Sequence, residues 1–198
     1  MRPQWDNTRT LEREKYMVHE EVTRLVRVVK SDKRKSARKY YVIFRFLAES
    51  GVRIASALGL TPADVSRAPG DVPRIRVRWL KKHNPGIKQQ ELEISQSLYT
   101  LLVRFARGKD PRKPLFRITD RAVAYAFKKY LVIAGLNPNY KLHGFRHYHL
   151  MTWYHSSGKD VVSTSKRAGH ASIASTMIYV HTDPDRTLKT MSALPSFA

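Results

Sequence analysis

The chain has 198 residues, 42% of them hydrophobic, which suits one sizeable core with room for a small appendage and excludes a disordered polypeptide. Lys and Arg number 37 against 16 Asp and Glu, a net charge of +21, so nucleic acid is the first partner to consider and an anionic membrane surface the second. Cysteine is absent, which excludes disulfides and thiolate chemistry, and no apolar run approaches the ~18 residues of a membrane span.

The start, Met1 to Asp6, lacks the apolar stretch of a secretory signal, so a cytoplasmic, DNA-associated location is expected. Residues 1–14 are polar, carry Arg2, Arg9 and Arg13, and read as a basic arm. From Lys15 onward Val18, Val22, Leu25, Val26 and Val29 recur at helical spacing, and Glu20 and Glu21 suit the positive end of the helix dipole. Residues 30–36 form a solvated basic loop. A second helix is expected over Ala37 to Glu49, with Tyr41, Phe44, Leu47 and Ala48 as its buried stripe and Ser50-Gly51 ending it.

A shorter helix is expected from Arg53 to Leu60, with Ile54, Ala57 and Leu58 inward and Gly59 and Pro62 marking its end. Thr61 to Val65 reads as a further turn and Ala68 to Asp71 as a loop. Ile75 to Trp79 alternates apolar and basic residues, as a half-exposed strand does. Asn84-Pro85-Gly86 is a turn signal, and Gln90 to Ile94 is the returning strand of a small antiparallel hairpin. Helices resume at 97–107, 120–134, 143–156 and 160–168, with a last one near Tyr179 for which Ser172 is the expected N-cap. The fold class is α+β, mainly α, with one small antiparallel sheet. The expected organisation is the arm 1–14, a folded domain 15–182, and a tail 183–198. Leu188, Met191 and Leu194 lie at helical spacing in that tail and could dock on a neighbouring protomer.

Chemistry concentrates toward the C-terminus. His143 and Arg146 are three apart, so they share a helical face in a first turn, where backbone N–H groups also favour a phosphate. His170 follows the helix stop Ala168-Gly169. Tyr179, one of ten tyrosines, sits on an amphipathic stretch. Each alone has an ordinary explanation: a surface histidine, a solvated arginine, a core tyrosine. Arg53 at a helix start and Lys81, Lys82 and Lys88 around a hairpin are ordinary too. Together they are parts for attacking a phosphodiester: an oxygen nucleophile, arginines for phosphate oxygens, and histidines that move protons. His143 and His147 are four apart and could face one metal ion, but no Glu lies between them and no Cys is present, so no metal is expected.

Three blocks then resemble the catalytic domain of the tyrosine recombinases, the phage-integrase, Xer and Cre family, over roughly residues 15–182. Gly51 to Leu60 is similar to the family's first block, in which a glycine and a hydrophobic residue precede Arg and a Leu-Gly-Leu helix end. His143 to His147 matches His-x-x-Arg-His. Gly169 to His181 matches Gly-His-x-Ser-Ile-x-x-Thr-x-x-Tyr-x-His at every fixed position. The resemblance implies a helical catalytic domain that cuts and rejoins DNA through a covalent 3′-phosphotyrosyl intermediate, without metal, cofactor or ATP. It implies Tyr179 as nucleophile, Arg53 and Arg146 as the two phosphate-binding arginines, and His143 as the proton-transfer residue. It places His170 where the family has His or Trp. Lys81, with Lys82 as the alternative, is implied as the lysine that protonates the departing 5′ oxygen. The partners implied are double-stranded DNA and further copies of the chain on that DNA, as a tetrameric synapse, with no membrane.

Two departures stand out. Ser56 occupies the position three after Arg53 where the family often has an acidic residue, and the usual N-terminal DNA-clamping domain has no counterpart, as in an excised domain or a naturally short member. The same chemistry also serves type IB topoisomerase-like relaxation. A non-catalytic DNA-binding module of the same fold is the alternative from another class; mere binding would not need Tyr179.

Overall fold

The structure, a computed structural model, describes residues 16–79, 88–170 and 172–182. The arm 1–14, Lys81 and Lys82, the Asn84 to Gly86 turn and the tail with Leu188, Met191 and Leu194 lie outside the described residues. The elements are α1 (His19–Ser31), α2 (Ala37–Ser50), α3 (Ile54–Leu58), β1 (Val65–Ala68), β2 (Val72–Trp79), β3 (Lys88–Glu93), α4 (Gln96–Ala106), α5 (Asp120–Ile133), α6 (His143–Ser156), α7 (Val161–Ala168) and α8 (Met177–Thr182).

Helix α2 packs against α1, α3, α4 and α6. That position explains its burial. Val42, Ile43, Phe44, Phe46, Leu47 and Ala48 are all buried, whereas Tyr41, expected inside, is only partly so. A helix covered from several sides buries more than one stripe. Phe44 of α2, Phe127 of α5 and Phe145 of α6 meet with ring centroids 5.4–5.7 Å apart and hold the three helices together.

Helix α1 starts at His19, later than the apolar spacing suggests, because Val18 is extended. Glu21 caps the start: its carboxylate accepts from the Val18 N–H at 2.9 Å and from the Tyr140 hydroxyl at 2.9 Å. Helix α3 is one turn long; Ser56 and Ala57 are buried, and Ile54 and Leu58 pack partly buried against the core.

Among the described residues the sheet has three antiparallel strands in the order β1-β2-β3, one more than the expected hairpin. Ile75 pairs Leu92 and Val77 pairs Gln90, so Ile75, Val77 and Leu92 face the core. On the other face Arg74 reaches Glu91 and Glu93, each at 3.3 Å. The turn before β1 holds the sheet to α3. Asp64, 2% exposed, accepts from the backbone N–H and hydroxyl of Thr61 and from both terminal nitrogens of Arg78 at 2.8 and 2.9 Å.

Among the described residues, two apolar clusters result. The larger unites α1–α6 and the sheet. A smaller one, Leu150, Tyr154, Ala168, Tyr179 and Val180, joins the distal part of α6 to α7 and α8.

Candidate active site

The site lies where α2 ends and α6 begins. Gly51 caps α2 in the left-handed conformation, φ 65°. A Cβ there would also sit 2.4 Å from Cδ2 of His149, so only glycine fits. The chain then turns into Arg53, the N-cap of α3, whose side chain is exposed. Gly169 plays a similar part at the end of α7, φ 62°, and delivers His170.

Arg146, 3% exposed, is the clasp of the site. It donates to the carbonyl of Gly51 at 2.8 Å and to that of Ala168 at 2.7 Å. The helix end that precedes Arg53 and the helix end that precedes His170 are thus tied to one side chain of α6. Burial, and next the charge of Arg53, hold the Arg146 pKa down to about 10, so it stays charged at neutral pH.

The remaining candidates gather around the two arginines. His143 keeps contact with solvent; partial enclosure, then the charges of Arg146 and Arg53, lower its pKa. His170 is half-buried and its Nδ1 lies 2.8 Å from the Thr176 hydroxyl. Burial and the charges of Arg146 and Arg53 push its pKa down to about 4, so it is neutral at pH 7. Tyr179, 2% exposed, has its pKa pushed up to about 12 by burial, against the opposing pull of Arg146 and Arg53. Arg53, His143, Arg146, His170 and Tyr179 therefore form one electrostatic unit, although they come from α3, α6, the α7 end and α8. Lys81 falls outside the described residues. Ser172 caps the short turn Ile173–Ser175, not the helix that carries Tyr179.

Sequence reasoning did not assign one contact. Nδ1 of His147 lies 3.1 Å from the Tyr179 hydroxyl. The ring of His147 also meets that of His143 edge to face, centroids 4.6 Å apart. The His143 to His147 spacing was legible as one helical face; the partner 32 residues away was not. Among the described residues, no three His, Cys, Asp or Glu side chains gather in a way that could hold a metal ion. A cavity of about 750 Å³ lies elsewhere, between α1, α2 and α6, and none of the candidate residues lines it. No helix among the described residues is long and apolar enough to cross a membrane.

Comparison with known proteins identifies the family. The profile of the phage integrase family matches residues 15–186, and the chain belongs to that family. Among curated relatives, the tyrosine recombinase XerC of Caldanaerobacter subterraneus subsp. tengcongensis is 25% identical over 170 residues, 80% of this chain and 45% of the relative. The XerC of Herpetosiphon aurantiacus is 30% identical over 159 residues, 72% of this chain and 48% of the relative. The chain thus spans about half the length of the curated relatives it matches. Among solved structures, the XerH site-specific recombinase bound to its difH substrate superposes with a TM-score of 0.72 at 19% identity, over 90% of this chain and 54% of that one. The catalytic domain of bacteriophage HP1 integrase gives 0.65 at 19% identity, over 91% and 95%. At that identity these two establish the fold: a tyrosine-recombinase catalytic domain, mainly helical with a small antiparallel sheet.

Proposed function

We propose that this chain is the DNA-cleaving and DNA-joining part of a site-specific recombinase. The observation that carries the reading is the convergence of the Arg53 and Arg146 charges on Tyr179, His143 and His170. A phenol is mostly protonated at neutral pH and attacks poorly. A phosphate brought between two guanidinium groups loses much of its repulsion toward that oxygen. The negative charge of the pentacovalent transition state falls on oxygens that the same groups can hold, an effect often worth several kcal/mol. Attack by Tyr179 yields a 3′-phosphotyrosyl link and a free 5′ hydroxyl, and Lys81, or Lys82, protonates the departing oxygen. The bond energy is kept in the link, so a second 5′ hydroxyl can reverse the step on another strand without ATP. No metal or other cofactor is required.

The partner is double-stranded DNA, to which the +21 charge is suited. A DNA-bound recombinase among the structural neighbours supports that partner. Copies of the chain assemble on DNA as a tetrameric synapse, exchanging residues 183–198 through Leu188, Met191 and Leu194. The location is cytoplasmic, on DNA.

A nicked suicide substrate tests the reading. The protein should form a covalent adduct with DNA in excess EDTA, and Tyr179→Phe should abolish it while leaving DNA binding nearly intact. No adduct from the parent chain, or an adduct from the Phe variant, would overturn it.

A further inference from the structure

We infer that His147 is a catalytic residue that takes the proton of Tyr179 as its oxygen attacks phosphorus. The inference rests on the proposed phosphotyrosyl chemistry. Its geometric basis is the 3.1 Å contact between His147 Nδ1 and the Tyr179 oxygen, the atom that would form the new bond. A general base must lie within hydrogen-bond reach of the proton it removes, and this nitrogen does.

The need for such a group is set by the surroundings. Burial holds the Tyr179 hydroxyl in its protonated form far above neutral pH, and the two arginines offset only part of that. His143 occupies the preceding turn of α6, and its ring edge abuts His147 rather than replacing it at the tyrosine. Among the described residues, Tyr179 from α8 and His143 from α6 face His147. A phosphodiester bound beside the tyrosine brings negative charge, which favours proton uptake by a neighbouring imidazole.

The step balances within the site. The Tyr179 O–H proton passes to His147 Nδ1, whose other nitrogen carries the ring's own hydrogen beforehand. The tyrosyl oxygen forms the O–P bond, and the P–O5′ bond breaks with its electron pair on O5′. A separate acid, expected at Lys81, protonates that oxygen. On rejoining, the imidazolium returns its proton to Tyr179.

The experiment separates this role from mere positioning and from leaving-group chemistry. Asn holds a hydrogen-bonding atom near the place of Nδ1 but accepts no proton at neutral pH; Phe keeps the ring and offers neither. Adduct formation is followed with the parent chain, His147→Asn and His147→Phe on nicked DNA, using ordinary or 5′-bridging phosphorothiolate linkages. A sulfur leaving group needs no acid. Both variants should be slower by about 10²–10⁴-fold, with no rescue by sulfur and DNA affinity within twofold of the parent. On the sulfur substrate the parent's rate should rise through an ionisation in the histidine range and then level off. Near-parental rates for the Asn variant would reduce His147 to positioning, and rescue by sulfur would move it to the leaving-group side. A parental rate climbing steadily to high pH would overturn the proposal even if neither variant folds. An inert parent chain would instead sink the recombinase reading itself.

Discussion

Nε of Arg167 donates to Nε2 of His149 at 3.1 Å, with both side chains buried and no carboxylate in the pair. The contact fixes the imidazole tautomer. Nε2 accepts, so Nδ1 carries the hydrogen and donates to the Ala48 carbonyl at 3.2 Å. Arg167 also donates to the Glu93 carbonyl at 2.8 Å and lies over the Trp153 ring at 4.6 Å. His149 in turn fills the space against Gly51, so this pair supports the floor of the candidate site.

The pair should show strong coupling. Arg167→Leu alone strands Nε2 of His149 and should cost about 1–3 kcal/mol, the penalty of an unsatisfied buried group. His149→Phe alone removes the acceptor of a buried cation and should also destabilise. The double variant should recover much of the loss, since apolar pairs of similar volume often replace buried polar ones without penalty. Chemical denaturation of the four proteins measures this; additive losses would contradict it.

Stability should fall on mild acidification. Burial, then the charge of Arg167, push the His149 pKa down to about 3, from an ordinary value of 6.5. Burial and the neighbouring arginines put His170 at about 4. Both are neutral when folded and take up protons when unfolded, so their contribution is complete above pH 6.5 and is lost as pH falls toward 4. Near pH 5 the unfolded chain should bind about two extra protons, a slope of about 2.7 kcal/mol per pH unit. Denaturation at pH 7, 6 and 5 reads it, and the His149→Phe, Arg167→Leu double variant should remove about one proton.

Gly51→Ala should be among the more damaging single changes. It places a Cβ at φ 65° and 2.4 Å from the His149 ring. The left-handed conformation alone costs roughly 1–2 kcal/mol for a non-glycine residue, and displacing a buried ring adds to that. Thermal melting should show a large drop, whereas Gly135→Ala, which shares the positive φ and meets nothing within 4 Å, should show the smaller loss.

Arg53→Ala and Arg146→Ala should each slow adduct formation by about 10²-fold or more, with much smaller losses in DNA affinity. Their effects on stability should differ. Arg53 is exposed, and its removal should leave the melting temperature nearly unchanged. Arg146 is buried between the Gly51 and Ala168 carbonyls, and its removal should cost about 2–4 kcal/mol. Equal losses in binding and cleavage would mark both as ordinary backbone contacts.

The helices were largely legible in the sequence because their signals are local. Asp160 caps α7 through its carboxylate, Thr119 caps α5, and glycines end α2 and α7, all within a few residues of the ends they set. Strand β1 was not legible, since Val65-Ser66-Arg67-Ala68 is short and carries no apolar alternation; only its pairing with β2 makes it a strand. The broad burial of α2 depends on neighbours that local spacing does not reveal. The candidate residues were legible through the motifs, but their couplings were not. Arg146 to Gly51 spans 95 positions, and His149 to Ala48 spans 101. Such contacts exist only once the chain has closed on itself.

The division of the interior into two clusters has a mechanical consequence for Tyr179. The tyrosine rides on the smaller cluster, together with Val180, while Val52 and Ile54, which flank Arg53, and the first turns of α6 belong to the larger one. Regions with few buried apolar groups open at a fraction of the global unfolding free energy. Amide hydrogens of α8 should therefore exchange sooner than those of α2, and by an opening that leaves the arginines in register. On the proposed chemistry, a nucleophile that can be withdrawn while its phosphate cradle persists would act as a safety catch: DNA would be held at the cradle without being cut.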